Sequence, residues 1–206
     1  ILSMQSKAQE EQFLLYHEIS EKSNRRWHDL RHTTQIMVDL LEQGNTEVAI
    51  EYLKDSFNMP SVEKEEYCHH FAVNSMMCLW AERCRKEDIS LEISLRVPQE
   101  LEIEPMELSA LFSNAIENAY DSCLLIPKNR GRFIKVESQY NSKRLAIGVT
   151  NSCNDDVKFE EGLPLSSKEG GGIGTRSMIY TVKRFHGAYT FETYDGLFFT
   201  RLVLNV

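Results

Sequence analysis

The sequence predicts a mixed α+β protein in which an N-terminal helical hairpin precedes a two-layer α/β sandwich. Up to about residue 86, apolar residues recur three and four positions apart, which is the spacing of amphipathic helices. After Asp88, segments with alternating apolar residues appear, which is the pattern of half-buried strands. Helix-length segments separate these strands, so we expect helices packed on a sheet. We therefore divide the chain near residue 90, into a helical domain of residues 1–90 and a sandwich of residues 91–206.

The bulk composition is that of a globular protein and argues against several classes of function. The 206 residues are 42% hydrophobic and 26% charged, enough for one large or two small domains. The net charge of −8 argues against general nucleic-acid binding, and no apolar run approaches the roughly 20 residues that span a bilayer. Five scattered cysteines without a C-x-x-C pair favour free thiols in a reducing compartment over disulfides or zinc.

The first forty-odd residues predict one long helix with a heptad seam, which requires a helical partner. Gly44-Asn45 ends this helix, a short helix follows over residues 46–57, and another is predicted over residues 62–86. Two long helices of one chain cannot bury both apolar stripes, so we expect two chains to form a four-helix bundle as a homodimer. The seam comprises Phe13, Tyr16, Ser20, Ser23, Trp27, Leu30, Thr34, Met37 and Leu41. The stripe of the later helix comprises Cys68, Phe71, Ala72, Ser75, Met76 and Leu79.

The elements of the sandwich follow from alternation, from turn residues and from one proline. Pro105 begins a predicted helix of residues 105–123, because proline is favoured in a first helical turn. Asp195-Gly196 is a strong two-residue hairpin turn. Residues 151–169 are polar and predict a long loop without regular structure. The other predicted elements are strands over residues 91–97, 132–140, 144–150, 188–194 and 197–204, and a helix over residues 174–185.

A glycine run and an asparagine helix together indicate phosphate chemistry. The run GGGIGTRSM at residues 170–178 opens a helix, where glycine backbone N–H groups and the helix N-terminus favour an anion. Upstream, Asn114, Asn118 and Asp121 share one face of the predicted helix, and an Asn carbonyl can bind nucleotide-associated Mg²⁺. Taken alone, the glycines are equally a plain turn, and the asparagines can simply hydrogen-bond neighbouring loops.

Considered in order along the chain, these motifs resemble a known family. N-A-I-E-N-A at residues 114–119, a long loop and the glycine run resemble the N-box, ATP lid and G2-box of the GHKL ATPases. W-H-D-L-R-H at residues 27–32 and Y-C-H-H-F-A-V-N-S-M at residues 67–76 resemble the dimerisation region of histidine kinases that serve as peptide-pheromone, or quorum-sensing, receptors. The resemblance covers almost the whole chain and implies an ATP-binding sandwich of GHKL type with ATP and Mg²⁺ as cofactors.

The resemblance also implies roles for individual residues of the sandwich. Asn118 would coordinate Mg²⁺, with Asn114 one turn earlier on the phosphate side. Asn151, at the end of a predicted strand, would take the place of the aspartate with which most of the family recognises the adenine amino group. The lid over ATP would be residues 155–169. Its hinge and the phosphate contacts would be Lys168, Gly170, Gly172 and Gly174.

The candidate phosphoacceptor is His28. Trp27 lies on the predicted seam, so His28 points beside it toward solvent, where a neutral imidazole can act as a nucleophile. Asp29 can hold or deprotonate one ring nitrogen while the other attacks. Taken alone, His28 is one surface histidine among six, and only the downstream motifs favour it. His32, one turn on, is an alternative acceptor; many related kinases have Asn or Thr there, so phosphatase activity stays open.

The function implied is ATP-dependent autophosphorylation of a histidine, followed by phosphoryl transfer to an aspartate on a response-regulator receiver domain. The chain begins with Ile rather than Met, which predicts that it is a piece of a longer protein whose missing part lies upstream. The resemblance implies that the missing part is a sensor region and that this piece is the cytoplasmic domain of a bacterial membrane-bound receptor, while the sequence itself leaves attachment to a membrane open. Two alternatives are a GHKL-type protein-serine kinase and a non-catalytic ATP-binding dimer that acts as a scaffold. An acid-labile phosphate in the product excludes the first, and nucleotide binding without phosphate incorporation favours the second.

Overall fold

The computed structural model describes residues 28, 31–56, 65–154, 157–165 and 172–206. The chain forms two compact units, Ile1–Ser61 and Val62–Val206, and each is described by itself. The seam up to Leu30, together with Asp29, Lys168 and Gly170, lies outside the described residues. Among the helices that are described, none is both long and apolar enough to cross a membrane.

The N-terminal unit contains helix α1 over residues 31–42 and helix α2, Thr46–Ser56. Gly44 has a φ of 77°, a left-handed conformation that glycine adopts without strain. The N–H of Asn45 donates to the Leu40 carbonyl oxygen at 2.9 Å, which closes the end of α1. The predicted helix stop at Gly44-Asn45 is therefore confirmed. Of the described seam residues, Met37 is half-buried and Leu41 is 54% exposed.

Helix α3 spans Phe71–Lys86, so the predicted start at residue 62 was wrong. His70 caps the helix by accepting a hydrogen bond from the Val73 N–H at 3.4 Å. Asn74 Oδ1 accepts from the Tyr67 N–H at 2.7 Å and holds the preceding segment against the helix in a non-helical conformation. These side-chain contacts satisfy backbone groups that a longer helix would otherwise have used.

The buried face of α3 also differs from the predicted stripe. Phe71 is 82% exposed and Leu79 is 42% exposed, because α3 turns its other face toward strand β1, Ile89–Leu95, and helix α4, Pro105–Leu124. Trp80 Nε1 donates to Ser113 Oγ on α4 at 3.2 Å, and its ring lies 5.5 Å from that of Tyr120. The buried residues of α3 are Val73, Met76, Met77, Trp80 and Cys84. The boundary predicted near residue 90 falls at the start of β1, and α3 and β1 are neighbours in the second unit.

The second unit is a five-stranded sheet covered by helices, which confirms the predicted fold class. The sheet order is β1-β2-β3-β7-β6, with β1 parallel to β2 and every other pair antiparallel. Helix α4 contacts β2, β3 and both other helices of the layer, α3 and α5. The elements are β1 Ile89–Leu95, α4 Pro105–Leu124, β2 Arg132–Asn141, β3 Arg144–Ser152, β4 Phe159–Glu160, β5 Leu163–Pro164, α5 Ile173–Arg184, β6 Ala188–Tyr194 and β7 Leu197–Asn205.

The core lies between the helix layer and the sheet. On the sheet side, Val136, Val149 and Thr200 face one another across three adjacent strands, and all three are buried. The α4 stripe has the period of a helix and the strands have a period of two, so each element buries one face. The buried α4 residues are Leu108, Leu111, Phe112, Ala115, Ile116, Ala119 and Cys123.

The cysteines confirm the expected free thiols at four positions. Cys68, Cys84 and Cys123 are buried, Cys78 is half-buried, and all four are free. Burial raises the pKa of Cys84 to about 12, so this thiol stays protonated and inert near neutral pH.

One hairpin was predicted and another was missed. Asp195 and Gly196 have φ values of 52° and 70°, the conformation expected of a two-residue hairpin turn between β6 and β7. Glu161 and Gly162 have φ values of 51° and 78° and join β4 to β5 in the same way. The loop predicted without regular structure therefore contains a small hairpin, because the Phe159 ring stacks on a ring of β7 at 6.2 Å.

Candidate functional site

The asparagine helix and the start of α5 lie against each other. A Cβ added to Gly174 would lie 3.5 Å from Asn114 Oδ1, so the glycine backbone and the Asn114 side chain are close neighbours. Asn118, one turn further along α4, donates from Nδ2 to Thr175 Oγ1 at 3.4 Å. The structure thus brings together residues that are 57 or more positions apart in the chain.

Gly172 forms the entrance to α5. Its φ of 91° lies in the region where other residues are strained, and its carbonyl oxygen accepts the first hydrogen bond of the helix, from the Arg176 N–H at 3.0 Å. No side chain caps this helix start among the described residues. The N-terminal N–H groups of α5, at the positive end of its dipole, therefore lie beside the α4 asparagines without a capping side chain.

The far end of α5 is anchored to the beginning of α4. Glu107 Oε1 accepts from Thr181 Oγ1 at 3.1 Å, and the same carboxylate pairs with Arg184. Together with the Asn118–Thr175 contact, this anchor fixes the antiparallel register of the two helices. Neither Glu107 nor Thr175 was predicted as a site residue, since no short spacing in the sequence links either residue to its partner. The signal for Thr175 was its place directly after Gly174 in the glycine run.

Asn151 lies near the end of β3, the strand that α4 covers. It is 1% exposed and stands opposite Ile134 on β2 and Phe198 on β7. Its Nδ2 donates to the Ser152 carbonyl oxygen at 2.9 Å. This bond uses one N–H of the amide, and Oδ1 is the end that can accept a hydrogen bond from a ligand.

The histidines in the two sequence motifs differ in exposure. His28 and His32 are both exposed in the N-terminal unit, as expected of a reachable acceptor. His70, in contrast, is 2% exposed and caps α3, and burial lowers its pKa. His69 is exposed beside Glu66, with 3.1 Å between Nδ1 and Oε1. His70 therefore has a structural role as the cap of α3.

Two surface grooves flank α3 and β1, and neither contains a predicted site residue. One, of ≈ 340 Å³, is lined in part by Ala81, Arg85 and Leu91; the other, of ≈ 450 Å³, by Cys68, Arg96 and other residues. Within the described ranges, no group of three or more His, Cys, Asp or Glu side chains is arranged to hold a metal ion.

Comparison with known proteins identifies the family. The GHKL domain family matches residues 103–205, which is half of the 206 residues. The chain belongs to the GHKL family. No curated protein matches the chain. The matched range contains α4, the sheet from β2 onward and α5, and therefore every predicted site residue of the sandwich.

Solved histidine kinases have the same fold. The nucleotide-free catalytic domain of ThkA is 16% identical, with a TM-score of 0.51 over 65% of this chain and 90% of that one. AdeS of Acinetobacter baumannii is 12% identical, with a TM-score of 0.52 over 86% and 97%. Full-length ShkA in complex with AMPPNP is 12% identical, with a TM-score of 0.52 over 71% and 31%. At these identities the similarity establishes the fold.

Proposed function

We propose that the chain is the kinase core of a sensor histidine kinase. It binds Mg²⁺–ATP in the sandwich, phosphorylates its own His28 and passes the phosphoryl group to an aspartate on a response-regulator receiver domain. The observation that carries this proposal is the contact between the α4 asparagines and the glycine-opened start of α5, in a GHKL chain. The similar structures are named as histidine kinases, and ShkA was solved with AMPPNP, an ATP analogue, which supports the same ligand here.

The residues present fit a magnesium nucleotide. Asn114 and Asn118 offer amide oxygens, and Mg²⁺ needs only one or two protein oxygens when phosphate and water supply the others. Asn118 would hold the cation, and Asn114 would lie on the phosphate side. The Gly174 backbone lies close to this side chain, since a Cβ added there would be 3.5 Å from Asn114 Oδ1, in van der Waals contact. Bound Mg²⁺ neutralises charge on the transferred phosphoryl group.

Other residues would recognise the remaining parts of ATP. Gly172 and Gly174 offer backbone N–H groups at the start of α5, and Gly170 and Lys168 would extend these phosphate contacts. Asn151 would accept a hydrogen bond from the adenine amino group through Oδ1, while its Nδ2 donates to the Ser152 carbonyl oxygen. Residues 155–169 would serve as the lid.

The phosphotransfer step needs an exposed, neutral imidazole. A ring nitrogen of His28 would form a bond to the γ-phosphorus while the bond to the β–γ bridging oxygen breaks, so that ADP leaves. Asp29 would orient the ring by accepting a hydrogen bond from its single N–H, and would take that proton as the other ring nitrogen bonds to phosphorus. The phosphoryl group then moves from nitrogen to a carboxylate oxygen of the regulator. His32 is also exposed and stays the alternative acceptor.

The proposal also assigns a role to each part of the chain. Residues 1–90 would dimerise and present His28, and residues 91–206 would bind ATP, with α3 as the helix that joins the two functions. The motifs near His28 support the peptide-pheromone receptor group, with a membrane-bound sensor region upstream and cytoplasmic placement of this part. The partners would be a second copy of the chain and a receiver domain.

The test of nucleotide binding is Asn118→Ala, with Asn129→Ala as a matched control on an exposed turn. Affinity for a fluorescent ATP analogue is measured with Mg²⁺ and again with EDTA. We expect Asn118→Ala to lose about tenfold or more of the affinity in Mg²⁺ and little in EDTA, since it removes one cation ligand. Asn129→Ala should match the wild type. A large drop in melting temperature with unchanged nucleotide affinity would show that Asn118 is structural.

A further inference from the structure

Thr175 contacts the amide of Asn118, the residue that would hold the cation under the proposed function. An Asn side chain has two unlike ends, since Oδ1 is a cation ligand whereas Nδ2 carries two hydrogens and repels a cation. In this structure Nδ2 of Asn118 donates to Oγ1 of Thr175 at 3.4 Å. Because Nδ2 is directed at α5, Oδ1 is the end left for a ligand.

The position of the Thr175 hydroxyl is set by packing that does not involve Asn118. Thr175 is 8% exposed and follows Gly174, which packs beside Asn114. A β-branched side chain has few allowed rotamers in a helix. At the other end of α5, Glu107 binds two side chains and prevents the helix from sliding along α4. The backbone that carries the hydroxyl is therefore held in place, and the Asn118 amide contacts the hydroxyl from α4 with its Nδ2 end.

We infer that Thr175 is a positioning residue for Mg²⁺-dependent nucleotide binding, because it holds the Asn118 amide with Oδ1 available to the cation. This inference rests on the proposed function and adds a residue to its site. In this role Thr175 acts through Asn118 and does not itself touch the nucleotide. The role requires a hydroxyl oxygen and not the bulk of the side chain. Serine should therefore replace threonine, and valine, which has nearly the same shape, should not.

The experiment compares wild type, Thr175→Val, Thr175→Ala and Thr175→Ser. The dissociation constant of a fluorescent ATP analogue is measured with excess Mg²⁺ and with EDTA. The ratio of the EDTA value to the Mg²⁺ value is the gain in affinity that the cation provides. Loss of one hydrogen bond should lower this gain about fivefold in the valine and alanine variants. Their affinity in EDTA should stay within about twofold of the wild type, and the serine variant should keep most of the gain. Thermal melts report whether each variant is folded.

The outcomes separate this inference from the proposed function. If the wild type binds with a normal gain from Mg²⁺ and both hydroxyl-free variants keep that gain, Thr175 does not position Asn118. Equal losses in Mg²⁺ and in EDTA would show that Thr175 only packs the helix start, which also overturns the inference. The alanine variant removes atoms without adding any, so it serves if valine disturbs the fold. A wild type that binds no nucleotide overturns the proposed function itself.

Discussion

Replacing Arg132 by methionine should destabilise the sandwich, because this one guanidinium ties together the ends of two helices. Arg132 is 9% exposed, and its Nε donates to the Ile126 carbonyl oxygen at 2.8 Å. Its terminal nitrogens donate to the carbonyl oxygens of Glu87 and Leu124, each at 3.2 Å. A hydrogen bond with a charged partner contributes roughly 1.5–3 kcal/mol. Ile126 is buried, whereas Glu87 is half-buried and Leu124 exposed, so water can replace the guanidinium at the latter two. We expect a loss of about 3 kcal/mol in the free energy of unfolding.

Urea denaturation followed by circular dichroism measures this loss. Arg132→Lys keeps the positive charge but replaces the forked guanidinium by one compact ammonium group. It should therefore lose about half as much of the free energy of unfolding as Arg132→Met. Arg130→Met is the matched control, because Arg130 is an exposed arginine two residues away, and it should change stability by less than about 0.5 kcal/mol. If Arg132→Met were no more destabilising than Arg130→Met, the inferred anchoring of the two helix ends would be refuted.

Two further predictions concern the cap of α3 and the assembly of the chain. Burial lowers the pKa of His70 from its ordinary 6.5, so the unfolded chain takes up the proton first as pH falls, and stability should decrease below about pH 6.5. His70→Asn keeps an acceptor for the Val73 N–H and should flatten this dependence in thermal melts; an unchanged slope would contradict the assignment. In sedimentation at micromolar concentration the whole chain should be a dimer, and the unit Val62–Val206 should be a monomer. A monomeric whole chain would contradict the prediction that the heptad seam of the N-terminal helix holds two chains together.

The elements predicted well from the sequence are those with local signals. Pro105 begins α4 as expected, and the Asp195-Gly196 turn joins β6 to β7, because both depend on the φ values that neighbouring residues allow. The start of α3 was misplaced, because its true cap is the buried His70, which looks like any polar residue in the sequence. Periodicity alone could not show that α3 turns Trp80 toward Ser113, since that partner lies 33 residues away.

The residues of the candidate site likewise divide into those with a signal in the sequence and those without one. The asparagines and glycines were found because the ordered motifs resemble a family, and the structure brings Asn114 next to Gly174. Thr175 was missed, because its importance depends on a contact across 57 residues that no spacing rule describes. The β4–β5 hairpin was missed for a similar reason, since a ring of β7 supports Phe159.

The most direct test of the central claim is the transfer of label from γ-labelled ATP to the protein. The account predicts that the wild type incorporates an acid-labile, base-stable phosphate that maps to His28. His28→Gln should abolish this incorporation while nucleotide affinity persists, and His32→Gln should retain it. Label that survives in His28→Gln and disappears in His32→Gln would move the acceptor to His32. An acid-stable label, or nucleotide binding with no incorporation at all, would contradict the assignment as a histidine kinase.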